Sequence, residues 1–114
     1  MKRSKYGVRI DAAGKEARTV DNIRFDSLRE AKRYRELKLL SQAGKIKGFC
    51  WDKKFLKWHL DLMGVHIGTY TADFSYIDPE RGAVYEDVKG HRTRDYVMKK
   101  RLMKALHGID IQEV

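Results

Sequence analysis

Hydrophobic and polar positions recur with two different periods along this chain, and the changes of period divide it into segments. Residues 1–19 show no apolar period and read as a basic arm, with a loop around Ala12-Ala13-Gly14-Lys15. Val20-Asp21-Asn22-Ile23-Arg24-Phe25 predicts a tight turn between two short extended pieces. A helix follows: Ser27 is a good N-cap, Glu30 stands three residues on, and Gly44 is placed to end the helix after Ala43. The middle of the chain is β-rich. Phe49 and Trp51 alternate, and Leu56, Trp58, Leu60 and Leu62 alternate with Lys57, His59 and Asp61. Gly64 marks a turn, Ile67 to Tyr76 a second strand run, and Asp78-Pro79-Glu80-Arg81-Gly82 another turn. Ala83 to Lys89 predicts a third strand, ended by Gly90. Thr93 opens a second helix, with Met98, Leu102, Ala105 and Leu106 at helical spacing, and Gly108 stops it. Ile109 and Ile111 suggest a last short strand. The order helix, three strands, helix, strand predicts an α/β sandwich.

Length and composition narrow the picture. A chain of 114 residues has room for one domain, here an arm over residues 1–19 and a core over residues 20–114. Its hydrophobic content of 42% excludes wholesale disorder, and 36% charged residues exclude a membrane protein. No apolar run approaches the roughly 20 residues that span a bilayer. The start Met1-Lys2-Arg3-Ser4-Lys5 lacks the apolar stretch of a signal peptide, and the single Cys50 fits a reducing compartment, so a cytoplasmic location is expected. Between Phe49 and Trp51, that cysteine reads as a buried structural thiol.

The formal net charge is +9, unevenly spread. Residues 1–45 carry 13 Lys/Arg against 6 Asp/Glu, residues 46–90 carry 6 against 7, and residues 91–114 carry 6 against 3. Two basic flanks thus enclose a nearly neutral middle. Basic flanks suit phosphate binding through counterion release, and a merely soluble basic surface is the plain alternative.

Four side chains in this frame ask for a chemical explanation. In a strand, residues two apart share a face, so Asp87 and Lys89 project together while Val84, Glu86 and Val88 face the other way. Asp73 interrupts an aromatic and small-residue run where Asp is normally depleted. Antiparallel strands joined through the turn at Pro79–Gly82 bring Asp73 toward Asp87, and two such charges repel unless a cation lies between them. Hard oxygen ligands suit Mg²⁺; the histidines have no ligand spacing, which makes zinc the weaker choice. Glu30 falls near the centre of the helix's apolar face, on one stripe with Tyr34, Leu37 and Ser41. A capping box with Ser27, in which the carboxylate bends back to its own backbone, explains it equally well. A solvated ion pair is the alternative for Asp87 and Lys89.

Phe25-Asp26-Ser27-x-x-Glu30-Ala31, Ala72-Asp73-Phe74 and Glu86-Asp87-Val88-Lys89-Gly90 together resemble the PD-(D/E)xK nuclease superfamily. Within it, the likeness is to the small phage-encoded endonuclease I-like proteins, relatives of phage Holliday-junction resolvases. It spans about Val20 to Val114 and implies a restriction-endonuclease-like α-β-β-β-α-β core. The acid-x-Lys spacing selects Asp87 over the adjacent Glu86, and the chain departs from the pattern in having no proline before Asp73. The resemblance implies that Asp73 and Asp87, with the Val88 carbonyl, hold Mg²⁺ (with Mn²⁺ able to substitute). It further implies that Glu30 helps hold a second ion and that Lys89 lies beside the attacking water or the developing phosphorane charge. The implied activity is a structure-selective DNA endonuclease that nicks to leave a 5′-phosphate, resolving or debranching DNA in phage replication or recombination. For a phage-encoded protein the compartment is the bacterial host cytoplasm. Another PD-(D/E)xK nicking enzyme of a repair or transposition complex is the second reading. A non-catalytic nucleic-acid-binding module with structural acids is the third.

The second helix adds a substrate clue. Arg92, Arg94, Lys99, Lys100 and Lys104 form a basic ridge just downstream, suited to DNA phosphates or simply to solvent. Tyr96, Lys100 and Met103 share a stripe of that ridge, opposite the apolar one. Trp51, Phe55, Trp58 and Tyr70 read as core or dimer contacts. A homodimer is expected, because paired nicks need two sites and so short a chain gains core by association.

Overall fold

The computed structural model describes residues 12–89 and 92–114. In chain order these form α1 (Ala12–Ala17), β1 (Thr19–Val20), β2 (Ile23–Arg24), α2 (Leu28–Gln42) and β3 (Lys47–Cys50). A single 3-10 turn at Lys53–Phe55 leads to β4 (Lys57–Leu62) and β5 (Val65–Thr71). Then follow β6 (Phe74–Asp78), β7 (Gly82–Asp87), α3 (Arg94–His107) and β8 (Ile111–Glu113). The fold is mixed α/β, and among the described residues no helix is long and apolar enough to cross a membrane.

Three expectations change, the first at the start of the described residues. Residues 12–17 are helical where a loop was expected, because Ala12, Ala13 and Ala17 favour helix and Gly14 accepts from the Arg18 N–H at 3.2 Å. Buried Arg18 then ties this segment to the next: its Nε donates to the Phe25 carbonyl at 2.9 Å, and the Phe25 N–H returns a bond to its carbonyl. The rest of the expected arm, residues 1–11, and the strand end expected at Gly90 lie outside the described residues. The tight turn at Asp21-Asn22 is present, both residues left-handed at φ 52 and 63, as a two-residue hairpin turn requires. Asp21 accepts from the Tyr34 hydroxyl and from Lys38, which fastens the hairpin to α2.

The strand run expected over Ile67–Tyr76 divides in two. The Ala72 N–H bonds the Leu56 carbonyl, whereas the Asp73 N–H bonds the Glu86 carbonyl, both at 2.9 Å, so the chain changes partner between these two residues. β4 and β5 consequently form a separate antiparallel hairpin. The main sheet has the order β3-β6-β7-β8, antiparallel except for the parallel pair β7–β8 that α3 connects. Phe74, Tyr76 and Val84 pack on one face of it against Phe25, Ala31, Tyr34 and Leu37 from α2 and its approach. Tyr85 and Ile111 face the other way, toward Leu56, Leu60 and Tyr70 beneath the hairpin and toward Tyr96 and Met103 of α3.

The face that α3 buries is turned away from the expected one, although Leu102 and Leu106 of the expected stripe still pack on the core. Tyr96 and Met103 point inward, while Met98 is 55% exposed and Leu102 and Leu106 lie at the flanks. Burying the tyrosine ring and Met103 removes more apolar surface from water than burying Met98 and Ala105. The left-handed Gly108 (φ 67) ends the helix where expected.

Glu86 has a purely internal role. It is 1% exposed, accepts from Arg33 Nε and Nη2 at 2.8 and 2.6 Å, and accepts from the Tyr76 hydroxyl at 2.6 Å. This two-pronged pair joins β7 to α2. Glu86→Ala removes the buried acceptor shared by Arg33 and Tyr76 and leaves Arg33 only the exposed Glu36, 3.0 Å from its Nη1, so it should destabilise the protein by about 2–3 kcal/mol in urea unfolding.

Candidate active site

The ladder between β6 and β7 sets the site's first pair of acids. Phe74 pairs with Glu86, and the Asp73 N–H donates to the Glu86 carbonyl at 2.9 Å. The Asp73 carboxylate reaches past Asp87 to accept the Val88 N–H at 2.8 Å. Asp73 is therefore bonded to the residues on both sides of Asp87 and stands opposite it. The far side of β7 is fixed as well: the Val114 N–H bonds the Asp87 carbonyl at 3.1 Å, and the Lys89 N–H bonds the Val114 carbonyl at 3.2 Å. Lys89 and Asp87 share a face, with Nζ 3.0 Å from Asp87 Oδ1. The same ammonium lies 4.1 Å above the Tyr96 ring, a cation–π contact that orients it.

Glu30 joins this pair from α2. Ser27 caps the helix by accepting the Glu30 N–H at 3.0 Å, so half of the expected capping box is formed. The carboxylate meanwhile turns toward Lys53, 3.1 Å from its Oε1, and Glu30 is only 4% exposed. All four expected residues, Glu30, Asp73, Asp87 and Lys89, line one open cleft of about 800 Å³, together with Val88 and Lys99.

Two further side chains in the cleft escaped the sequence reading. Lys53, from the 3-10 turn, places Nζ 2.9 Å from Asp26, 3.1 Å from Glu30 and 3.3 Å from Asp73. A lysine in a short irregular turn has no periodicity to announce it. Tyr70, at the base of the β4–β5 hairpin, donates its buried hydroxyl to Asp87 Oδ2 at 2.5 Å. Alternation identified it only as an inward aromatic, and its partner came from a different sheet. The other expected aromatics divide: Trp58 packs edge-on against Tyr85 at 5.2 Å, whereas Phe55 and Trp51 are exposed.

Electrostatics inside the cleft are strained by burial. Glu30 is pushed up to about 7, first by desolvation and then by the charge of Asp73, against the opposing pull of Lys53. Desolvation and the facing Asp87 also raise Asp73, while Lys53 and the Val88 N–H hold it back. Burial and the Asp87 charge keep the Tyr70 hydroxyl protonated, as a permanent donor. The described lining residues include five carboxylates against three ammoniums, in a chain whose net charge is +9. That local excess of anions suits a divalent cation. No three His, Cys, Asp or Glu side chains among the described residues are arranged to hold one ion. Asp73 and Asp87 are two facing carboxylates, and Mg²⁺, which keeps much of its water, ordinarily takes one or two.

The expected basic ridge is present but largely paired. Arg92 and Lys100 both bind Glu113, at 2.9 and 3.2 Å. Lys104 binds Asp110 at 2.9 Å and Lys99 binds Asp95 at 3.2 Å. Arg94 is exposed at the first turn of α3.

Because the acid form of Glu30 is favoured in the fold, the native state binds more protons than the unfolded chain between the ordinary value of 4.5 and about 7. This group's contribution to stability is therefore lost as pH rises through that window, by up to about 3 kcal/mol. Glu30→Gln carries no such proton. In metal-free urea titrations the variant should gain on the wild type by about that amount between about pH 4 and pH 8.

No curated protein and no solved structure matches the chain significantly. One family does, described as "Protein of unknown function (DUF1064)", and the match extends over residues 3–112. With nearly the whole chain covered, the protein belongs to the DUF1064 family.

Proposed function

We propose that the protein is a Mg²⁺-dependent DNA endonuclease whose catalytic groups are Asp73, Asp87 and Lys89, with Glu30 completing the acid cluster of the cleft. The observation that carries this reading is the opposition of Asp73 and Asp87 across β6 and β7, with Lys89 held on Asp87 beside them. The sheet order β3-β6-β7-β8, with α2 before it and α3 crossing to the parallel β8, supports a restriction-endonuclease-like core. The chemistry agrees. An acidic cleft on a basic protein attracts DNA over its surface yet repels a phosphodiester at its centre, unless a divalent cation is taken up there.

Asp73 and Asp87, with the Val88 carbonyl, are the groups that hold the ion. When bound, Mg²⁺ polarises the scissile phosphate and lowers the pKa of a coordinated water. The chain's own residues prepare that site. The Val88 N–H and Tyr70 hydroxyl fix the two carboxylates in place, so little reorganisation accompanies the reaction. Lys89, kept beside Asp87 and over Tyr96, provides a preorganised positive charge for the developing phosphorane. Lys99 at the cleft and Arg94 on α3 are suited to flanking phosphates. Branched or junction DNA, cut by a homodimer, is the substrate this reading favours.

Nicking of supercoiled, linear and four-way-junction DNA in Mg²⁺ tests the proposal. Lys89→Ala and Asp73→Asn should each lower cleavage about a thousandfold or more, with DNA affinity changed less than about tenfold. Undiminished cleavage in either variant defeats the assignment. So does a wild type that binds DNA but cuts none of the three substrates in Mg²⁺ or Mn²⁺. Preference for the junction over linear duplex separates junction resolution from simple nicking.

A further inference from the structure

Lys53 lies where three chain segments bring carboxylates to one point. Asp26 comes from the residue before the α2 N-cap, Glu30 from the first turn of α2, and Asp73 from the entry to β6. Their oxygens are 2.9, 3.1 and 3.3 Å from Nζ. Those distances are ordinary for an ammonium among carboxylates. The surroundings set this contact apart from an ordinary surface pair, which contributes little. Glu30 is 4% exposed, and its Oε1 makes no well-directed hydrogen bond, so the Lys53 charge is what compensates it. The ammonium is also delivered by a fixed backbone: Asp52 caps the 3-10 turn by accepting the Lys54 N–H, and the Leu56 N–H closes it onto Lys53.

We propose that Lys53 is a built-in cation that takes the place of a second divalent ion, so that the cleft binds a single Mg²⁺ on its Asp73–Asp87 side. This rests on the metal-dependent reading above and assigns Lys53, which belongs to none of the residue patterns that suggested it, a positioning role. Glu30 is then neutralised by a side chain and not by metal, and Asp73 is shared. Its Oδ2 is anchored on the Val88 N–H, and its Oδ1 faces the lysine. An ammonium tethered to the chain cannot dissociate, so the acid cluster stays assembled at any metal concentration. The site then depends on one ion where three acids and a pair of ions would depend on two.

Metal binding without DNA tests this. Mn²⁺ is titrated into the full chain near neutral pH, and free Mn²⁺ is followed by electron paramagnetic resonance. The wild type should bind one ion per chain, and so should Lys53→Arg, which keeps the charge. Lys53→Met keeps most of the stem and should bind two, the second being lost when Glu30→Gln is added. In the wild-type background Glu30→Gln should change Mn²⁺ affinity by less than about threefold, whereas Asp87→Asn should weaken it by about tenfold or more. Two ions on the wild type, or only one on folded Lys53→Met, overturn the proposal. Should Lys53→Met fail to fold, the wild-type count and the Glu30→Gln affinity still decide, since a tenfold loss there would put Glu30 on the metal. No ion on the wild type overturns the metal-dependent function itself and this inference with it; two ions overturn the inference alone.

Discussion

Gathering carboxylates where water screens them poorly is the constraint around which this molecule is organised. Glu30, Asp73 and Asp87 converge at one end of the sheet, and each is met by a specific counterpart. Asp73 receives the Val88 N–H and the Lys53 charge, Asp87 receives Tyr70 and Lys89, and Glu30 receives Lys53. These counterparts come from the hairpin, the 3-10 turn, β7 and its extension, so the cleft ties together elements far apart in the chain. The upward displacement of Glu30 and Asp73 shows that the compensation is incomplete. What remains is a cluster that takes up a proton more readily than isolated carboxylates do.

The two acids next to each other on β7 show how strand geometry sorts chemistry from architecture. Asp87 faces the cleft, while Glu86 faces α2 and is bound by Arg33 and Tyr76. A single step along a strand separates a group that lines the cleft from one committed to holding the fold. The same alternation carries Lys89 to the cleft and Val88 to the apolar cluster under α2.

Charge on the outer surface is likewise arranged in pairs. Arg92, Lys100 and Lys104 on or beside α3 are each matched with an acid of β8 or its approach, which anchors the strand that supports Asp87 from behind. A basic ridge read from helical spacing is therefore partly scaffold. Lys99, which lines the cleft, and Arg94, exposed at the first turn of α3, are better placed for an anionic partner.

Short-range information was enough for much of this. Strand period put Asp87 and Lys89 on one face, a turn at Pro79–Gly82 implied antiparallel neighbours that bring Asp73 to Asp87, and helical angle turned Glu30 inward. Each depends only on residues close in sequence or on one hairpin. Other features needed the assembled chain. Ala72 and Asp73 divide one apparent strand between two sheets because their N–H groups find partners at Leu56 and Glu86, far away in sequence. Tyr96 and Met103 rather than Met98 face inward because the hairpin and β8 offer that side of α3 a surface to cover. Lys53 and Tyr70 reach the acids only once the 3-10 turn and the hairpin have docked. Periodicity reports which way a side chain points from its own element; what it meets there depends on elements that close the space from elsewhere in the chain.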